Sequence, residues 1–199
     1  MKIGIIDYGM GNLQSVSNAL DFLGAENFIS NDYDELQKAD KLILPGVGAF
    51  KDAIALIRDK SFDKLLEDAK AQGTPILGIC LGMQLLFESS SEFGDHLGLG
   101  LLKGHIVKFD VDLKVPHMGW NQLNYKKDDP LFKGLPEESY VYFVHSYHLE
   151  TNEDIVSATT YYGKEIQVAA TEGNVFALQF HPEKSGDIGL KILKNFIEL

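Results

Sequence analysis

The chain has 199 residues, a mass of 22.1 kDa and a formal net charge of −11, with 45% apolar and 24% charged residues. This is the composition of a globular protein, and the length predicts one domain over residues 1–199. The acidic balance argues against binding to nucleic acid or to an anionic membrane surface. The single cysteine excludes an intrachain disulfide and a four-cysteine metal site.

The sequence contains no predicted membrane span or leader peptide. Its longest uncharged apolar stretch, residues 75–87, has 13 residues, whereas a membrane-spanning helix needs about 20. The apolar run at the N-terminus ends at Asp7, which is too early for a signal peptide. We therefore expect a cytoplasmic protein.

The first half of the chain alternates between apolar runs and helical periodicity. The apolar runs, which predict buried strands, cover residues 3–6, 41–44 and 74–79. The helical pattern covers residues 13–23, 53–58 and 61–72, with Gly24 and Gly73 as the stop signals. Apolar strands that alternate with helices are typical of a parallel sheet covered on both faces.

The second half is rich in strand-forming residues and ends in a helix. The strand-like runs cover residues 101–109, 122–125, 140–148, 155–161, 166–170 and 175–180. The apolar face of the last helix carries Ile188, Ile192, Leu193, Phe196 and Ile197. We predict an α/β fold with an open, mostly parallel sheet flanked by helices, to which antiparallel strands are added.

The only cysteine lies in the sequence Gly78-Ile79-Cys80-Leu81-Gly82, between a predicted strand and a helical stretch. This is the cysteine form of the nucleophile elbow, a sharp turn whose flanking positions are too crowded for side chains. The start of a helix favours a thiolate, and the backbone N–H of Leu81 can hold an oxyanion. The alternative is that Cys80 is a small buried core residue.

A cysteine nucleophile needs a base, and the sequence Gln179-Phe180-His181-Pro182-Glu183 offers one. The rigid Pro182 lets His181 and Glu183 project to one side, so that the carboxylate can orient the imidazole. The alternative is a strand-end histidine beside a surface carboxylate. No metal site or cofactor is predicted, because His145 and His148 lack a third ligand and Gly9-Met10-Gly11 lacks the remaining glycine of a dinucleotide loop.

Three motifs together resemble the class I (triad) glutamine amidotransferases. They are Pro45-Gly46-Val47-Gly48, residues 78–84 around Cys80, and residues 179–183 around His181, and they match in order and rough spacing. The resemblance covers essentially the whole chain. It implies the flavodoxin-like α/β fold of that family and a glutaminase activity, in which glutamine and water give glutamate and ammonia.

The resemblance also implies a role for each matching residue. Cys80 would attack the side-chain amide of glutamine, His181 would move the protons, and Glu183 would fix the tautomer of His181. The N–H groups of Val47 and Leu81 would form the oxyanion hole. The residues that would hold the glutamine are Gly46, Gly48, Gln84, Ser146 and Tyr147.

Two further segments, residues 7–13 and residues 116–121, resemble one branch of this family. In that branch the glutaminase passes ammonia to a (βα)₈-barrel cyclase subunit of histidine biosynthesis, with which it forms a heterodimer. We interpret both segments as loops, and their aromatic, methionine and amide side chains are typical of an interface. The predicted contacts with the cyclase are Asn12, His117, Met118, Trp120 and Asn121. For Trp120, a core anchor is the alternative.

Other functions remain open at this stage. The elbow alone also permits a cysteine peptidase or another thiol hydrolase, and an elbow cysteine can sense oxidants in a regulatory protein. Within the family, a related glutaminase can supply a different synthase, for example one that amidates surface sugars.

Overall fold

The computed structural model describes residues 1–199 and contains fourteen strands and six α-helices. The strands are β1 (Ile3–Ile6), β2 (Asn27–Ser30), β3 (Lys41–Gly46), β4 (Ile76–Cys80), β5 (Ser89–Ser90), β6 (His96–Leu97), β7 (His105–Lys108), β8 (His117–Gln122), β9 (Asn124–Tyr125), β10 (Tyr140–His145), β11 (Tyr147–Glu150), β12 (Val156–Tyr161), β13 (Glu165–Glu172) and β14 (Val175–Leu178). The helices are α1 (Leu13–Phe22), α2 (Tyr33–Leu36), α3 (Phe50–Asp59), α4 (Phe62–Gln72), α5 (Leu81–Leu85) and α6 (Gly186–Ile197).

A large mixed sheet organises the chain, in the order β2-β1-β3-β4-β14-β13-β11-β7-β5-β6. The first five strands of this order are parallel, and β13 is the first to run antiparallel to its neighbour. Strands β12 and β9 extend the sheet beside β13. The predicted fold class is therefore confirmed.

Alternate residues of the central strands enter two different cores, one on each face of the sheet. In β1, Ile3 and Ile5 belong to one core, whereas Ile6 belongs to the other. In β3, Ile43 and Leu44 divide in the same way. Because successive side chains of a strand point to opposite faces, a strand covered by helices on both sides must be apolar throughout.

The sequence analysis missed two short elements and misplaced several ends. The edge strand β2 was missed because two of its four residues are polar and only Ser30 is buried, and α2 was missed because it has a single turn. Strand β3 continues through Pro45-Gly46, which were expected to end it. Helix α3 begins at Phe50, three residues earlier than expected, while Gly73 does end α4 with a left-handed backbone.

The larger correction concerns the expected strand over residues 140–148. It is two strands separated at Ser146, and they lie in different sheets, because β10 pairs only with β8 in a separate two-stranded sheet while β11 joins the large one. The expectation that all added strands extend one sheet is therefore wrong. The expectation that residues 117–121 form a loop is also wrong, since they lie in β8.

The chain contains no helix that is both long enough and apolar enough to cross a membrane.

Candidate active site

Cys80 lies at the sharp turn where β4 ends and α5 begins. Its backbone has φ of 55°, a left-handed value that costs energy for any residue with a side chain. A Cβ at Gly78 would approach the backbone of Met83 to 2.8 Å, and one at Gly82 would collide with the carbonyl oxygen of Leu44. Both flanking glycines are therefore required by close backbone contacts, as the elbow motif predicts.

His181 and Glu183 form a buried pair just after β14. Nδ1 of His181 lies 2.7 Å from Oε1 of Glu183, and the two side chains are 3% and 1% exposed. A short 3₁₀ helix, Pro182–Lys184, makes the bend that turns both side chains to one side. Because a carboxylate only accepts hydrogen bonds, Nδ1 of His181 carries a hydrogen and Nε2 is left for other chemistry.

The electrostatic surroundings of His181 favour the imidazolium. Burial lowers its pKa, but the favourable interactions of the imidazolium with Cys80 and Glu183 outweigh burial and raise the pKa of His181 to about 9. A thiolate at Cys80 and an imidazolium at His181 therefore stabilise each other.

Cys80 and His181 both line a cavity of about 410 Å³. Six of the other predicted residues also line it: Val47, Gly48, Leu81, Gln84, Ser146 and Tyr147. The volume is adequate for a small substrate such as an amino acid. The structure thus brings the residues that follow the parallel strands β3, β4 and β14 together at the carboxyl ends of these strands, where α/β sheets bind ligands, and adds Ser146 and Tyr147 from the break between β10 and β11.

The pairing of β3 with β4 sets the position of the predicted oxyanion loop. Gly46 is the direct partner of Cys80 in this pairing, so Val47 follows beside the elbow. Gly46 itself does not line the cavity, and a Cβ there would lie 2.5 Å from the hydroxyl of Tyr8 and 2.7 Å from the amide nitrogen of Gly82. Close packing beneath the elbow therefore explains why position 46 has no side chain.

Four residues line the cavity that the sequence analysis did not select: Glu92, Pro116, Val144 and His145. Glu92 is the only carboxylate among the lining residues, and its Oε2 accepts a hydrogen bond of 2.5 Å from the backbone N–H of Phe50 at the start of α3. Glu92 belongs to no motif, and only the folding of the loop after β5 places it here.

The predicted partner residues divide into an exposed and a buried group. Met118 and Trp120 are 62% and 56% exposed, so Trp120 is not a core anchor. His117 is buried, and Asn121 is half-buried with its amide nitrogen bonded to the carbonyl of Tyr161. Met118 and Trp120 alternate along β8 and share its outer face. Asn12 is half-buried and directly precedes α1.

Comparisons with known proteins agree with this geometry. The family model of glutamine amidotransferase class-I matches residues 4–199. The imidazole glycerol phosphate synthase subunit HisH of Bacillus cereus strain G9842 is 50% identical over 98% of this chain and 93% of its own length. The HisH subunit of Sulfurimonas denitrificans is 52% identical, with coverage of 98% and 96%.

Solved structures share the fold. A crystal structure of a glutamine amidotransferase has a TM-score of 0.79 at 21% identity and covers 98% of this chain and 97% of that one. The structure of PurLQS from Thermotoga maritima has a TM-score of 0.78 at 20% identity, with coverage of 99% and 97%.

By the match to the family model and the identity with these relatives, the chain belongs to the class I glutamine amidotransferases. Within that class, it belongs to the family of imidazole glycerol phosphate synthase HisH subunits.

Proposed function

We propose that this chain hydrolyses L-glutamine to glutamate and ammonia through a thioester at Cys80. The ammonia passes to a (βα)₈-barrel cyclase subunit, which uses it to make imidazole glycerol phosphate and AICAR in histidine biosynthesis. The observation that carries the proposal is the convergence of Cys80 and the His181–Glu183 pair on one cavity.

In the first half-reaction, Sγ of Cys80 attacks the side-chain amide carbon of glutamine. The thiol proton is held by Nε2 of His181, and Glu183 holds Nδ1 and stabilises the imidazolium. The carbonyl oxygen becomes an oxyanion, which the N–H groups of Val47 and Leu81 would stabilise. The carbon–nitrogen bond then breaks, His181 gives its proton to the leaving nitrogen, and ammonia and the thioester result.

In the second half-reaction, His181 takes a proton from a water molecule that attacks the thioester. A second oxyanion forms on the same carbonyl oxygen and is stabilised by the same two N–H groups. The carbon–sulfur bond then breaks, and glutamate and the thiol are restored. Atoms balance, because one glutamine and one water give one glutamate and one ammonia.

One charged side chain of the cavity suits the α-ammonium group of free glutamine. An α-ammonium group needs a negative partner, and Glu92 is the only carboxylate that lines the cavity. Gln84, Gly48, Ser146 and Tyr147 supply polar groups around it. A glutamine residue within a peptide has no charged α-groups, because they form peptide bonds. This arrangement therefore favours a free amino acid over a peptide.

The exposed face of β8 is the proposed docking surface for the cyclase. Met118 and Trp120 present apolar surface there, with Tyr140 and Tyr142 on the paired strand β10. Aromatic and methionine side chains of this kind are enriched at protein interfaces. Ammonia in bulk water is mostly protonated and is then no nucleophile, which supports a shielded route within a heterodimer. The compartment that we propose for it is the cytoplasm.

The proposal is tested by measuring glutamate release from the chain alone and from its mixture with the cyclase subunit and the cyclase substrate. We expect glutamine hydrolysis that depends on Cys80 and rises with the partner present, and no hydrolysis of asparagine or of peptides. Glutamine hydrolysis that persists in Cys80→Ala, or cleavage of peptides instead of glutamine, would overturn the proposal.

A further inference from the structure

Three buried histidines form a cluster beside the cavity, and one of them, His145, lines it. His117, His145 and His148 are at most 5% exposed, and all three pack around the ring of Phe109. His117 and His145 are direct cross-strand partners in the pairing of β8 with β10. These two side chains therefore connect the buried face of β8 with the cavity, which His145 lines.

The hydrogen bonds of this cluster determine both tautomers. Nδ1 of His145 lies 2.8 Å from the carbonyl oxygen of Tyr147, and a carbonyl can only accept, so Nδ1 of His145 carries the hydrogen. Nε2 of His145 is then an acceptor, and it receives the hydrogen of Nδ1 of His117 at 3.0 Å. Nε2 of His117 in turn accepts from the amide nitrogen of Asn121 at 3.3 Å.

The chain of hydrogen bonds continues from Tyr147 to the nucleophile. The carbonyl oxygen of Tyr147 also accepts from Nε2 of Gln84 at 3.3 Å, and the same nitrogen lies 3.0 Å from Oε1 of Gln179. Nε2 of Gln179 then lies 4.0 Å from Sγ of Cys80. Every donor and acceptor in the series is consistent with the next, from Asn121 on β8 to Cys80.

We propose that His145, oriented by His117, is a positioning residue that holds the carbonyl of Tyr147 and thereby the glutamine-facing wall formed by Ser146 and Tyr147. This inference rests on the proposed function of the cavity. The break between β10 and β11 falls at Ser146. The strand before this wall and the strand after it therefore pair in two different sheets. The carbonyl of Ser146 accepts from the backbone N–H of Phe109, whereas the carbonyl of Tyr147 is held by the side chains of His145 and Gln84.

The series of hydrogen bonds from Asn121 to Cys80 exists only when both His117 and His145 are neutral. Burial lowers the pKa of His145 to about 3 and the pKa of His117 to about 4. If Nε2 of His145 gained a proton, two N–H groups would point at each other, and the hydrogen bond from Nδ1 of His117 would be lost. The low polarity of the cluster, with Phe143 and Tyr162 stacked on His117, prevents this near neutral pH.

The tautomers can be measured without an activity assay. In the full chain labelled with ¹⁵N-histidine, long-range ¹H–¹⁵N correlation spectra at neutral pH should show Nδ1–H and a bare Nε2 for both His117 and His145. An Nε2–H tautomer or an imidazolium at His145 would overturn the proposal.

The positioning role predicts a change in KM for glutamine. In His145→Leu we expect KM to rise about tenfold, equivalent to about 1.4 kcal/mol, with a smaller change in kcat. His145→Asn keeps an N–H donor toward Tyr147 and should recover KM to within about threefold. His148→Leu is the matched control, because His148 is a buried member of the same cluster but lies outside the series, and its KM should be unchanged.

Failure of this inference and failure of the proposed function are separate outcomes. If the wild type is active and His145→Leu has the same KM, the positioning role alone is overturned. It is also overturned if KM rises equally in His145→Leu and His148→Leu. A wild-type protein with no glutaminase activity overturns the proposed function and with it this inference. If His145→Leu does not fold, the tautomer measurement on the wild type and the KM of His145→Asn decide.

Discussion

Gly46 and Cys80 are direct partners in the pairing of two parallel strands, although they are 34 positions apart in the sequence. This register brings the loop that begins at Val47 to the nucleophile elbow. Neither motif alone contains this information, because a strand can pair in any register that keeps its buried face. The start of α5 packs closely on the end of β3, since a Cβ at Gly46 would lie 2.7 Å from the amide nitrogen of Gly82 and a Cβ at Gly82 would collide with the carbonyl oxygen of Leu44.

Cys80→Ala should reduce glutamine hydrolysis at least a thousandfold, because the chain has no other thiol to form the thioester. The measurement is glutamate release at saturating glutamine in the presence of the cyclase. Circular dichroism should show an unchanged fold, since alanine fills nearly the same space. Residual turnover above about one thousandth of the wild-type rate would contradict the assignment of the nucleophile.

Glu183→Gln should lower kcat less than His181→Ala does. Glutamine can still accept the hydrogen of Nδ1 and keep the tautomer, whereas alanine removes the group that moves the protons. The two variants are compared by kcat under identical conditions. A reversed order would mean that the carboxylate, and not the imidazole, acts on the substrate.

The raised pKa of His181 predicts how its contribution to stability depends on pH. Because its pKa is about 9 in the folded protein and about 6.5 in an unfolded chain, the folded state binds more protons between these values. The stabilisation is fully present below about pH 6.5 and is lost as the pH rises through about 9.

The free energy of unfolding of the wild type, relative to His181→Gln, should therefore fall between pH 6.5 and pH 10 in urea titrations. His105→Gln serves as a control, because His105 is exposed and lies outside the site. A difference between wild type and His181→Gln that does not change over this range would contradict the raised pKa.

Gly82→Ala should destabilise the fold by several kcal/mol or prevent folding, because its Cβ would collide with the carbonyl oxygen of Leu44. Gly73→Asn is the matched control. Gly73 has a left-handed backbone, which asparagine tolerates, and a Cβ there meets no atom within 4 Å. Similar thermal shifts in the two variants would show that the elbow is not closely packed.

Trp120→Ala should weaken binding to the cyclase by about thirtyfold or more, the effect of losing an aromatic interface anchor worth about 2 kcal/mol. Its melting temperature should stay unchanged, because the side chain is 56% exposed. Leu97→Ala is the control, since Leu97 is 72% exposed on β6 at the far edge of the sheet. Calorimetric titration with the cyclase measures both. Equal affinity of wild type and Trp120→Ala would place the docking surface elsewhere.

The sequence by itself determined the local features of this protein. The apolar strands over β1, β3 and β4 could be read because both faces of each strand are buried, which leaves a continuous apolar run. The elbow at Cys80 and the bend at His181 could be read because each depends on a few adjacent residues, two glycines in one case and a proline in the other.

The tertiary structure alone decided which distant residues meet. Glu92, Val144 and His145 belong to no motif and reach the cavity only through strand pairing and loop folding. The run over residues 140–148 has uniform strand propensity, so nothing in it marks the change of sheet at Ser146. His117 was predicted to contact the partner because its segment carries side chains typical of an interface, yet in the pairing of β8 with β10 it is buried opposite His145. Local propensity depends on neighbours in the chain, whereas burial, register and the hydrogen bonds of buried histidines depend on neighbours in space.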